Sequence, residues 1–169
     1  LMFEGASAFN GNMFTDVSSV TNMTSMFKDA KAFNKSLSVW ANTTSKVTDM
    51  RLMFEGASAF NGNMFTDVSK VEDMNSMFKD AKAFNKSLSE WDTSKVTDMT
   101  SMFEGAILFD GDMFTDVSSV TNMTVMFKDA KLFNKSLSEW DTSQVTDMRS
   151  MFEGAILFDG DIFTNVSSV

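Results

Sequence analysis

Met99-Thr100-Ser101-Met102-Phe103-Glu104-Gly105-Ala106 places apolar side chains at i, i+3, i+4 and i+7, one face of a 3.6-residue period. Thr97 and Asp98 just before it have the character of an N-cap and a first-turn acid, and Gly105 is an early stop. The stretch therefore predicts a helix of about two turns. What lies between successive copies has another rhythm. From Phe84 through Leu88 to Trp91 the apolar spacing is irregular, with Ser and Asn between, which predicts a short strand bounded by tight turns.

Working outward, the motif is one of seven copies. Its Met-Phe pair recurs at Met2, Met26, Met53, Met77, Met102, Met126 and Met151, in steps of 24, 27, 24, 25, 24 and 25 residues. The long step holds two extra residues around Ala41-Asn42-Thr43-Thr44. Two coil types alternate. Glutamate coils read Phe-Glu-Gly-Ala and then Phe-Thr-Asp-Val, lysine coils read Phe-Lys-Asp-Ala and then Leu-Ser-Glu-Trp, and the larger period is 49 residues. A period of this size marks a repeat architecture. The predicted fold class is α/β: a leucine-rich-repeat-like solenoid of about seven 24–25-residue coils, with short parallel strands and short helices, forming one domain over residues 1–169. Neither end carries a polar cap, so the expectation is a segment of a longer array, or one whose ends abut other copies.

The large apolar residues are organised in columns. All 16 Met fall at three coil positions, all 18 Phe at three, and the three Trp at one. They read as core and leave nothing large for a separate ligand pocket. One coil buries too few apolar groups to offset the entropy of ordering two dozen residues, so neighbours must cover both its open faces.

Polar columns test that stacking. The residue after Met-Phe runs Glu4, Lys28, Glu55, Lys79, Glu104, Lys128, Glu153, which predicts a ladder of alternating ion pairs that fixes register. The next position alternates Gly5, Asp29, Gly56, Asp80, Gly105, Asp129, Gly154, so that adjacent coils never both carry an acid there. A second ladder runs Asn10, Asn34, Asn61, Asn85, Asp110, Asn134, Asp159, where an amide can donate and accept between copies and tie down turn backbone. A serine column from Ser18 to Ser167 is expected to cap turns.

Composition narrows the functions. There is no His and no Cys, which removes the commonest zinc ligands, thiol nucleophiles and the usual base near neutral pH. A net charge of −9 argues against nucleic acid and anionic membranes, and no apolar run is long enough to span a bilayer. No cofactor, catalytic group or resident metal is expected. The pairs Asp110/Asp112 and Asp159/Asp161, each around a Gly, resemble pieces of a calcium loop but fall short of a ligand set. Asn42 is the leading glycosylation candidate among the Asn-x-Ser/Thr matches, because it sits in the insertion.

The unit from Leu88 to Ala106, Leu-Ser-Glu-Trp-Asp-Thr-Ser-Lys-Val-Thr-Asp-Met-Thr-Ser-Met-Phe-Glu-Gly-Ala, resembles the repeat of BspA-like leucine-rich-repeat surface proteins, including the form found in mycoplasma-type lipoproteins. The resemblance spans essentially the whole chain. It implies secretion or surface attachment, adhesion, and contact with host or matrix proteins or glycans. The functional expectation is a non-catalytic extracellular or cell-surface binding module. The alternative is a structural spacer or a filament that self-associates end to end.

Overall fold

A computed structural model describes residues 2–163 of the 169. The coils lie one upon the next, in register. Backbone amides reach carbonyls about one coil away throughout: Met99 N–H donates to Asn122 O at 3.0 Å, Ser101 to Thr124 O at 3.0 Å, Phe103 to Met126 O at 2.9 Å and Gly105 to Lys128 O at 2.8 Å. The amides between them turn inward on their own coil. Met102 donates to Met99 O, Glu104 to Ser101 O and Ala106 to Phe103 O.

That alternation overturns the expected fold class. Among the described residues the only helical element is the 3₁₀ turn Ser38–Trp40, and strand pairing is confined to isolated parallel bridges linking Asn22, Asp49, Asp73, Asp98, Asn122 and Asp147. The described residues form neither the short α-helix nor the short strand of an α/β, leucine-rich-repeat-like coil. The cause is local. Ser101 and Gly105 have φ of +56° and +69°, and the coils from the second to the last repeat such a pair, as at Ser76 with Asp80 and Val125 with Asp129. An α-helix needs unbroken right-handed dihedrals. Two left-handed residues four apart make a chain of linked turns instead, with Met99, Met102, Phe103 and Ala106 still facing inward. All four are buried.

The core is three columns of rings. Phe27, Phe54, Phe78, Phe103 and Phe127 stack at 5.4–5.6 Å, continuing to Phe3 and Phe152 at the same spacing. A second column runs Phe9, Phe33, Phe60, Phe84, Phe109, Phe133, Phe158 at 5.6–5.9 Å. Within a coil the two columns touch face to face, as Phe78 and Phe84 do at 4.0 Å. In the third column phenylalanine and tryptophan alternate, Phe14 over Trp40 at 5.7 Å and Phe114 over Trp140 at 5.8 Å. The Phe-Thr-Asp-Val and Trp segments are thus equivalent places in the stack.

Consecutive interfaces are locked by different devices. Each indole N–H donates to the carbonyl of the preceding glutamate coil: Trp40 to Phe14 at 2.7 Å, Trp91 to Phe65 at 2.9 Å, Trp140 to Phe114 at 3.0 Å. At the next interface the indole contributes a ring contact, Trp40 to Phe65 at 6.1 Å, and no hydrogen bond. There the buried hydroxyl of Thr44 donates to Asp67 O at 2.7 Å, and Thr93 to Asp116 O. Three glycines also accept close backbone there: a Cβ at Gly62, Gly111 or Gly160 would fall on the Lys35, Lys86 or Lys135 carbonyl.

Candidate functional site

The charge ladder forms at every second step. Lys28 meets Glu55 at 2.9 Å, Lys79 meets Glu104 at 2.8 Å and Lys128 meets Glu153 at 3.0 Å, so each lysine reaches the coil that follows it. The preceding glutamate contributes only a longer-range attraction, as Glu4 does to Lys28. The hydrogen bond to Glu55 raises the Lys28 ammonium above its ordinary value. Burial pushes the Glu104 carboxyl up, yet hydrogen bonds from Lys79 and Ser101 hold it below the usual range. The Gly/Asp alternation beside this ladder is steric as well as electrostatic. A Cβ at Gly105 would come 2.5 Å from the Asp80 carboxylate of the coil before.

In the asparagine ladder only the side-chain oxygen is used. Asn34 N–H donates to Asn10 Oδ1 at 3.0 Å, and the pattern continues through Asn61, Asn85, Asp110, Asn134 and Asp159 at 2.7–3.0 Å. The expected amide-to-amide donation is not what links the copies. Because an acceptor alone is needed, Asp110 and Asp159 fit without loss. The serine column caps turns through its backbone: the amides of Ser18, Ser94, Ser118 and Ser143 donate to the Asp two residues earlier at 2.8–3.1 Å. Ser167 lies outside the described residues.

A column of like charge interrupts the neutralised surface. Asp49, Asp73 and Asp98 are bridged directly, coil over coil. Arg51 holds Asp49 at 2.6 Å and reaches Asp73 at 3.6 Å. Burial, then the facing Asp98 and Asp49, push the Asp73 carboxyl above its ordinary value despite the amide of Asn75 and the charge of Arg51. A carboxyl raised in the folded state favours folding below its unfolded pKa, and that contribution is lost as pH rises through the folded pKa. Asp73→Asn, the residue this column carries at Asn22 and Asn122, is expected to raise the urea midpoint at pH 7. The gain should vanish below about pH 4, where both states protonate Asp73. A pH-independent effect would show that the carboxylates do not interact.

The other predicted sites are placed plainly. Among the described residues no three acids gather as a metal group. Lys135 instead occupies the first calcium candidate, at 3.2 Å from Asp112 and 3.9 Å from Asp110. Asn42 is exposed, and the hydroxyl of Thr44 in its sequon is buried and donates to Asp67 O. Shallow hollows of about 290 and 330 Å³ recur 49 residues apart beside Trp140 and Trp91, with Lys135 or Lys86 on the rim. Their indoles are 4–5% exposed and offer no open ring face.

A feature outside the predicted sites breaks the repeat. In the column Ala8, Ala32, Ala59, Ala83, the last three coils carry Leu108, Leu132 and Leu157, which are 45%, 40% and 52% exposed. Beside them Ser7 and Ser58 become Ile107 and Ile156, the latter 73% exposed. Leu157 N–H donates to Lys131 O at 3.3 Å, as Ala83 does to Ser58 O, so the strip follows the stack. Comparing copies column by column reveals it; a tally of Met, Phe and Trp does not.

No curated protein and no solved structure matches the chain. A family model matches it three times, over residues 1–66, 41–115 and 112–169, which together span every coil. The chain therefore belongs to the family described as Mycoplasma protein of unknown function, DUF285.

Proposed function

We propose that this chain is a non-catalytic binding and adhesion module of an extracellular or cell-surface protein. The observation that carries the reading is the exposed aliphatic strip of Leu108, Leu132 and Leu157. Alanine at the same places suffices for stacking in four other coils, so the larger side chains serve no need of the core. Contiguous exposed apolar surface of this kind marks interaction sites. The likeness of the Trp-Asp-Thr-Ser-Lys-Val-Thr-Asp-Met unit to BspA-like surface proteins supports a location outside the cell, and membership of a mycoplasma family is in keeping with it.

The test is a screen of the purified chain against immobilised matrix proteins, glycans and intact host cells. Saturable binding to one of them is the expected result. No binding, with fibres in electron micrographs, would favour the second reading, a structural spacer or filament. The unbroken ring columns support that alternative, since they continue with one spacing from Phe3 to Phe152.

A further inference from the structure

We infer that the aliphatic strip on the last three coils docks a basic amphipathic segment of a partner protein. This rests on the reading of the chain as a binding module and adds the chemistry of what is bound.

Two changes occur together. Where the strip appears, the neighbouring turn changes from Asn10-Gly11-Asn12 and Asn61-Gly62-Asn63 to Asp110-Gly111-Asp112 and Asp159-Gly160-Asp161. The fold does not require those acids. The ladder uses only the Oδ1 acceptor, which Asn34 and Asn61 supply equally well. At the second position the stack uses the backbone carbonyl, as when Leu88 N–H donates to Asp112 O and Leu37 to Asn63 O. Four carboxylates thus stand within a few residues of Leu108 and Leu157, against two lysines, Lys131 beside Leu132 and Lys135, which reaches two of the four. A surface both aliphatic and acidic is complementary to a partner surface both aliphatic and cationic.

Size and spacing define the occupant further. Five aliphatic side chains fall short of the ~800 Å² per partner of a standard protein interface, which points to a segment rather than a domain face. A second copy seated on this strip would set one acidic margin against another, which a cationic segment does not. Sugars gain no hydrogen bonds from Leu and Ile. Successive leucines stand one coil apart, ~4.8 Å where bridges pair. That is close to the ~5.4 Å turn of a helix, so apolar anchors at i, i+3 or i+4, and i+7 can follow the column.

The probe is a synthetic amphipathic Leu/Lys peptide with leucines at those helical positions, set beside a scrambled peptide of the same composition. Binding to the 169-residue chain is read by fluorescence anisotropy at near-physiological salt. Two variant sets return residues used by other coils: Leu108→Ala with Leu132→Ala and Leu157→Ala, and Asp110→Asn with Asp112→Asn, Asp159→Asn and Asp161→Asn. Each is expected to weaken binding by about tenfold or more while leaving the thermal midpoint in place. Equal binding of the scrambled peptide, affinity unchanged on returning the leucines to alanine, or no saturable binding would each overturn the proposal. If the chain adheres to a surface yet treats both peptides alike, the segment assignment fails and the adhesive reading stands. If the peptide discriminates but no surface is bound, the adhesive reading fails instead.

Discussion

Phe103→Ala is expected to lower stability by about 3–5 kcal/mol, the range for removing a buried phenylalanine. The ring is fully buried, 4.1 Å from Phe109 in its own coil, 5.6 Å from Phe78 before it and 5.5 Å from Phe127 after it. Alanine removes its burial and its ring contacts, and leaves a void that turns on either side cannot close without breaking their own amide bonds to the next coil. A stack also amplifies the effect. Each coil touches only its neighbours, so a gap at the fifth coil separates the four before it from the two after. Urea unfolding followed by indole fluorescence, with Trp91 on one side and Trp140 on the other, should show a lowered midpoint and a broadened transition. A loss under about 1 kcal/mol with one sharp transition would mean that the columns are not the source of cohesion.

Gly111→Ala is the second large effect, expected at about 2 kcal/mol or more, within the range for forced overpacking. The added methyl would sit on the Lys86 carbonyl, with the Phe109 ring behind it, and neither can yield. Backbone conformation is not at issue there, since Gly111 does not lie in the left-handed region. The control is Gly11→Ala, where a Cβ meets only the edge of Phe9. Thermal unfolding should show a drop of several degrees for the first variant and little for the second. Equal effects would place the cost in chain entropy rather than in the close approach of coils.

The columns were legible because a period read along the chain becomes adjacency across it. The expected nearness of Phe84 to Phe109 appears as stacked rings at 5.8 Å, and Lys79 finds Glu104. The helix was not legible. Spacing of i, i+3, i+4 and i+7 reports which side chains face inward, and linked turns satisfy it as a helix does. Only the sign of φ at Ser101 or Val125 separates the two, and neither residue announces a left-handed backbone as Gly105 does. The Gly/Asp alternation was read as charge avoidance, whereas contact distance alone demands a small residue opposite each Asp. The aliphatic strip was missed for another reason: Leu and Ile in a repeat are taken for core, and only accessibility shows that Leu157 faces water.

The two kinds of lock have a consequence for how such a chain changes length. An indole bridge closes one junction, and a threonine hydroxyl with a lysine–glutamate pair closes the next. Loss of a lone coil would therefore bring two lysine coils together, tryptophan on tryptophan and lysine on lysine, or two glutamate coils, with neither an indole nor a lysine at their junction. Adding or removing a whole doublet, the 49 residues from Met53 to Met102 or from Met102 to Met151, keeps unlike coils in contact at every junction.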